Sequence, residues 1–252
     1  MTSVLSLIPA RGGSRRLPGK NIKPIAGRPM IAHAIQAALD APSVGRVVVS
    51  TDCEEIADAA REAIDHADPG MEYDRNRDFY MQRNEYIRQK TALQTKAHGD
   101  ICPFGLRPPH LATDTATSEA VIIHALDWLA ENEGYGPDLV ALLQPTSPLR
   151  TAVDVELCIQ LAAKQARHAG EPAPRPVVTV DALTGARNGA VFVASPTWIR
   201  ERYDAEPATE ATHPAPADLW DPFVPYPMPH ERSVDIDMQE DWDLAEFLMA
   251  QR

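Results

Sequence analysis

Between Pro9 and Asn21 the chain reads Pro-Ala-Arg-Gly-Gly-Ser-Arg-Arg-Leu-Pro-Gly-Lys-Asn, setting four cations, Arg11, Arg15, Arg16 and Lys20, among three glycines. Glycine permits tight turns and lets backbone N–H groups come close to a ligand, where they cradle anionic oxygens. The four cations repel one another unless an anion stands among them, and Pro9 and Pro18 stiffen the turn that carries them. Polyphosphate fits this composition. A departing pyrophosphate gains charge as its bond breaks, and fixed cations aimed at it lower the barrier. A solvated basic turn is the plainer alternative, weakened by the hydrophobic strand that leads into it. The spacing is neither GxxxxGK[ST] nor GxGxxG, which argues against a P-loop and against a dinucleotide fingerprint.

A second group lies near the other end of the sequence. Asp235 and Asp237 are two apart, so on an extended strand both carboxylates point the same way and could share a divalent cation. Beside phosphate, magnesium is the natural occupant, with manganese as the alternative. From spacing alone a solvated acidic strand end accounts for the pair equally well. No Ser-His-Asp or Cys-His arrangement is apparent. His33 and His124 fall on predicted helices as packed or capping residues, and the four tryptophans, Trp128 and Trp242 among them, read as core.

Elements that would position these groups follow from hydrophobic periodicity. Val4–Ile8, Arg46–Ser50, Asp138–Leu143 and Val177–Val180 read as buried strands. Helices are predicted from Pro29, with Ile31, Ile35, Ala38 and Leu39 on one face, and over Thr117–Glu131, with Val121, Ala125, Trp128 and Leu129 at helical spacing. Asp52 is expected to cap a further helix, with Glu55 in capping-box spacing. Strands alternating with helices imply an α/β fold with a mostly parallel sheet covered on both faces, whose ligands bind outside the carboxyl ends of the strands. The glycine-rich loop lies at such an end.

The 252 residues suffice for one domain, 1–252, interrupted by a polar insertion at about 70–100 and an irregular, proline-rich excursion at about 202–229. Phe79, Tyr86 and Leu93 form one seam of the insertion, which is mildly basic, with six Lys/Arg against four Asp/Glu from Glu72 to His98. It reads as a solvated insertion before a substrate lid. A formal charge of −12 argues against nucleic-acid and membrane-surface partners. Three scattered cysteines suggest neither disulfides nor zinc, and no cationic-then-apolar leader or stretch of roughly 20 apolar residues is seen. A reducing cytoplasm is the expected location.

Ile8–Ser14 with Leu17–Asn21 resembles the signature loop of the acylneuraminate cytidylyltransferases, the CMP-sialic acid synthetase family, with CMP-Kdo synthetases as nearby cousins. Further matches follow in family order: Lys23-Pro24, Gly27–Met30, Val49–Asp52, Arg107-Pro108 with Leu111–Thr115, Leu143–Arg150, Asn188–Ala190, and Asp235–Asp237 with Glu240–Trp242. The resemblance covers roughly 1–65, 101–160 and 186–250. It implies a nucleotide-diphospho-sugar transferase-like, Rossmann-like fold and transfer of CMP from CTP to a nonulosonic sugar. It further implies that Ala10, Arg11, Gly12, Gly13, Arg15, Lys20 and Asn21 hold triphosphate and ribose, with Arg11, Lys20 and Asp237 as the catalytic groups. Arg107 and Ser118 would meet the cytosine, Gln144 the acceptor sugar, and Asp235 and Asp237 the Mg2+ ion. Arg15 stands where the family commonly has lysine, a planar fork in place of a point charge.

One stretch departs from the family. Only Asp181–Arg187 separates Val177–Val180 from Asn188-Gly-Ala190, where relatives carry sugar-binding basic residues and a dimerisation arm. Arg187 is therefore a candidate for the acceptor carboxylate, or the 70–100 insertion for covering the site. A homodimer remains an expectation that this shortening weakens. The leading reading is a CTP-dependent cytidylyltransferase for a sialic, legionaminic, pseudaminic or Kdo-like acid, or for another small anionic acceptor such as a phosphonate. A sugar 1-phosphate nucleotidyltransferase is the second reading. A glycosyltransferase using Asp235-Ile-Asp237 as its metal motif, or a nucleotide sensor without turnover, is the third.

Overall fold

The computed structural model describes residues 2–66, 98–167, 174–204 and 220–251. Nearly all of the 70–100 insertion, and 205–219 of the later excursion, lie outside them. Seven strands form one sheet in the order β5(98–101), β4(46–50), β1(4–9), β6(139–142), β8(187–194), β7(177–181), β9(224–228). β5, β4, β1 and β6 run parallel, as do β7 and β9, while β8 runs antiparallel to both its neighbours. The reversal has a simple cause. Five residues connect β7 to β8, far fewer than a parallel crossover needs. Asp181 closes that hairpin by accepting from Leu183 N–H (2.7 Å) and Thr184 N–H (3.1 Å), and Gly185 takes the φ of +72° that a turn of this size requires.

Side-chain alternation along the central strands builds two cores. Val4, Ile8, Val47, Val49, Leu139, Ala141 and Leu143 face α1(30–39), α2(54–65) and α4(152–167), whereas Leu5, Leu7, Val48, Val140 and Leu142 face α3(118–133) and α5(196–204). Both sets are buried, as expected of a sheet covered on its two faces. A third, smaller cluster joins Ile25, Met30 and Leu149 to Ile236, Trp242 and Ala245. It fastens α6(239–250) against a small β2(24–25)–β3(28–29) hairpin and the exit of the phosphate loop. Trp242 is 2% exposed.

Several sequence expectations need correction. Asp52 caps nothing: Cys53 is the residue at the start of α2 and makes no side-chain cap, while the Asp52 carboxylate turns back to accept from Gly12 N–H at 2.9 Å. Asp235–Asp237 is not a strand but an irregular segment leading into α6. Its shape is set by Ile236 N–H donating to Thr146 O (2.8 Å) and by Asp241 accepting from the Asp237 and Met238 amides. Finally, the excursion is not irregular throughout. It begins within α5 and ends in β9, whose Val-Pro-Tyr-Pro-Met sequence hides a strand because proline is ordinarily excluded from ladders. Among the described strands β9 is outermost; Val224 N–H donates to Pro176 O at 2.8 Å, so by alternation Pro225 and Pro227 turn their nitrogens away from β7. Among the described residues no helix is long and apolar enough to cross a membrane.

Candidate active site

The carboxyl ends of β1, β4 and β6 meet at one rim, and a cleft of about 330 Å³ opens there. Pro9, Arg11, Arg15, Lys20, Asn21, Arg107, Ser118, Gln144 and Asp237 all line it. Residues separated by more than 200 positions in sequence thus share one wall. Arg187 does not line the cleft; its guanidinium lies 5.8 Å from the centre of the Phe223 ring, at the exposed start of β8.

Ligand-like contacts hold the phosphate loop in shape. Ala10 N–H donates to Ser50 O, carrying β1–β4 pairing to the edge of the loop, and the next anchor is Gly12 N–H on Asp52. A side chain at Gly12 would place its Cβ 3.0 Å from Cys53 Cβ, a tight contact that Cys53 would have to yield to, so glycine suits this position. Asn21 is 5% exposed, and its amide donates to Arg11 O at 3.0 Å, tying the two ends of the loop together.

The four cations are distributed over two carboxylates. Arg11 Nη1 lies 2.9 Å from Asp114 Oδ1 and also donates to Thr113 O, and Arg15 pairs with the other oxygen of Asp114. Arg16 Nη1 lies 2.9 Å from Asp237 Oδ2, and Lys20 Nζ lies 3.4 Å from Asp237 Oδ1 while donating to Ile236 O at 2.7 Å. The repulsion expected within the loop is relieved internally. Exposed ion pairs of this kind are worth about 0.2–1 kcal/mol each, too little to resist a bound polyphosphate. Asp114→Asn is therefore expected to tighten binding of a polyphosphate at the loop about three- to fivefold, the equivalent of one such pair. Calorimetry would show it; an unchanged Kd would mean that Asp114 does not compete for the loop.

Arg107 and Ser118 both line the cleft. Arg107 is no surface ion pair: it is 5% exposed, its Nε donates to Ser50 Oγ (3.1 Å), and its two Nη atoms donate to Leu111 O and Ser50 O. Burial lowers its pKa, opposed by Asp52. Capping of α3 falls to Thr117, which accepts from Ala120 N–H, and not to Ser118.

Near Gln144 the floor changes character. Gly189 has φ +70°, and a Cβ there would meet Gln144 Oε1 at 3.1 Å and Asp235 Oδ2 at 3.3 Å, so the amide and the carboxylate close over bare backbone. Asp235 Oδ1 is buried with no hydrogen-bond partner among the described residues. Burial raises the Asp235 pKa, Asp237 adds repulsion, and Thr146 and Lys20 oppose both. A buried carboxylate oxygen without a donor, two residues from a second carboxylate, is a donor set suited to a hard divalent cation. Among the described residues no group of three or more His, Cys, Asp or Glu could hold a metal ion, so the remaining ligands would come from phosphate and water, as magnesium usually has them.

Asp52, Asp114, Thr146 and Asp241 were not singled out as site residues from sequence. All four are acidic or hydroxyl residues inside matched motifs, and their positions next to the cationic loop or the acidic pair appear only once the sheet brings the loops together.

A mostly parallel sheet covered on both faces, with a cationic glycine loop and an acidic pair at its carboxyl rim, makes this an α/β protein whose fold recurs in solved structures. A solved CMP:2-keto-3-deoxy-manno-octonic acid synthetase complexed with CTP has this fold, with a TM-score of 0.57 and 17% identity over 99% of each chain. A cytidylyltransferase of Leptospira borgpetersenii has it too, at a TM-score of 0.59 and 19% identity over 100% of this chain and 88% of that one. Residues 5–68 match the family model described as Cytidylyltransferase. The CMP-N,N'-diacetyllegionaminic acid synthase of Legionella pneumophila is 34% identical over 158 residues, 63% of this chain and 52% of that protein. A 3-deoxy-manno-octulosonate cytidylyltransferase of Chelativorans is 61% identical over 61 residues, 24% of each chain. These matches bear out the resemblance to the acylneuraminate cytidylyltransferases. The chain spans about half the length of the legionaminic acid relative and about a quarter of the 3-deoxy-manno-octulosonate cytidylyltransferase.

Proposed function

We propose that this chain transfers CMP from CTP to a nonulosonic acid of the sialic, legionaminic, pseudaminic or Kdo type, releasing pyrophosphate. The observation that carries the reading is the cleft itself, which joins the four-cation glycine loop to Arg107 and Ser118 and to Gln144 and Asp237, with Asp235 beside Gln144 at Gly189. Relatives named for four such acids match parts of this chain, three of them over 146–160 residues and the fourth over 61.

In this reading the anomeric hydroxyl of the acceptor attacks the α-phosphorus of CTP in line, the bond to the β-phosphate oxygen breaks, and the hydroxyl proton passes to solvent. Arg11, Arg15, Arg16 and Lys20 exchange their internal carboxylates for the triphosphate and balance the charge that grows on pyrophosphate. Arg107 and Ser118 supply donors beside the cytosine, and the Gln144 amide can donate to and accept from acceptor hydroxyls. Asp235 and Asp237 would hold Mg2+, which lends positive charge to the phosphate oxygens. Arg187 is outside the cleft lining, over Phe223, and is not assigned the acceptor carboxylate in this reading.

The test is magnesium-dependent pyrophosphate release from CTP, against UTP, ATP and GTP, with a panel of nonulosonic acids, phosphonates and sugar 1-phosphates. Release with CTP and one nonulosonic acid, lost in Asp237→Ala, is expected. A diphosphate-linked product from a sugar 1-phosphate would replace this reading with the second, and CTP binding without any release would replace it with a sensor.

A further inference from the structure

Arg150 is 4% exposed and lies below the cleft. Its Nη1 donates to two backbone carbonyls at once, Gln144 O at 3.0 Å and Ala190 O at 2.5 Å, while Nε and Nη2 have no hydrogen-bond partner among the described residues. Asp154 and Asp235 provide the opposing charge, although burial still draws the guanidinium down to about 10. Leaving two buried donors unmet is costly, so what holds the side chain here must be worth the cost.

The sheet register gives the reason. β6 and β8 pair antiparallel as Val140↔Ala194, Ala141↔Val193 and Leu142↔Phe192. Continuing that register by two residues puts Gln144 opposite Ala190, the same two residues whose carbonyls Arg150 takes. The guanidinium therefore stands where the next rung of the ladder would form. Beyond Leu142 the strands are joined through a side chain instead of to each other, and this parting leaves room above for the Gln144 amide to lie against Gly189 beside Asp235. An unbroken ladder would be flatter and would close the space.

We infer that Arg150 is a positioning residue that wedges β6 from β8 and so shapes the acceptor side of the cleft, without touching either substrate. The inference rests on the proposed reading of Gln144 as an acceptor contact.

Three variants of the full chain test it: Arg150→Met, which removes the guanidinium and its charge; Arg150→Lys, which keeps the charge but not the planar guanidinium that fills the gap; and Gly189→Ala, which presses on the Gln144 amide directly. For Arg150→Met, the acceptor KM is expected to rise at least about tenfold, by misplacement of a group that orients substrate, while the CTP Kd, measured by calorimetry without acceptor, stays within about twofold. Arg150→Lys should fall between it and the wild type, and carries the test if the methionine variant does not fold. Hydrogen exchange should quicken in peptides spanning residues 143–149 and 187–192 and stay unchanged across 10–21.

An unchanged acceptor KM in Arg150→Lys, or an equal loss of CTP affinity, would overturn the wedge. A raised acceptor KM in Gly189→Ala alone would overturn it too, while preserving the reading of Gln144. If the wild type turns over no acceptor, the proposed function fails. The exchange pattern then still decides the wedge, which falls if the two strand ends are no less protected in the variant.

Discussion

Lys20→Met is expected to lower kcat/KM for CTP by about 10²- to 10³-fold, the loss that follows removal of one preorganised charge aimed at developing negative charge. Of the four loop cations Lys20 is the most sequestered, with a side chain 14% exposed against 67% for Arg16 and 84% for Arg15. Its Nζ is already aimed, through Ile236 O at 2.7 Å and Asp237 at 3.4 Å, at the junction of the cationic loop and the acidic pair. A sequestered charge is less screened by water and salt, so its removal is felt more than that of Arg15, which reaches solvent. Steady-state kinetics on both variants would settle the ranking: Arg15→Met should cost about tenfold at most, as an exposed and screened charge. Equal losses would mean that sequestration is not what gives Lys20 its weight.

Trp242→Ala is expected to destabilise the protein by about 3–5 kcal/mol, the usual cost of removing a buried aromatic side chain. At this chain length that corresponds to a fall in Tm of roughly 10 °C, measurable by calorimetry. The ring is 2% exposed, packs in the cluster with Ile25, Met30, Leu149 and Ile236, and carries Lys23 Nζ 4.1 Å above its centre. The effect should reach the site. Ile236 stands between Asp235 and Asp237, and α6 starts with the Asp241 side chain holding the Asp237 amide. Activity is therefore expected to fall at temperatures where the sheet is still intact by circular dichroism. A single coincident transition in both signals would show that the cluster has no local role.

The parts of this protein legible in its sequence are those that depend on local pattern. Val4–Ile8 and Arg46–Ser50 are hydrophobic runs of strand length, and the sheet contains both. The phosphate loop announced itself because its charges and glycines are contiguous. What stayed hidden depends on pairing across distance. Asp52 reads as a helix cap because Asp before a helix usually is one, but Gly12 N–H, brought close only when β1 and β4 align, takes its carboxylate. The alternation in Asp235-Ile-Asp237 suggests a strand, and part of it is real: Ile236 is buried between two half-buried aspartates. Hydrogen bonds donated by the Ile236 and Asp237 amides to Thr146 O and Asp241 Oδ2, not a ladder, shape the segment. β9 was obscured by its own prolines. Arg150 could not be assigned from sequence at all, since its role follows from the register of two strands that lie more than 40 residues apart.

Pro225 and Pro227 have a meaning beyond the pairing of β9 with β7. An outer strand normally offers a row of free N–H groups on which a foreign strand can grow, the first step toward fibrils or runaway sheet extension. Here the two positions that would present such groups outward have none to present. An incoming strand would find acceptors without matching donors, and template-directed polymerisation at this margin would stall at the first contact.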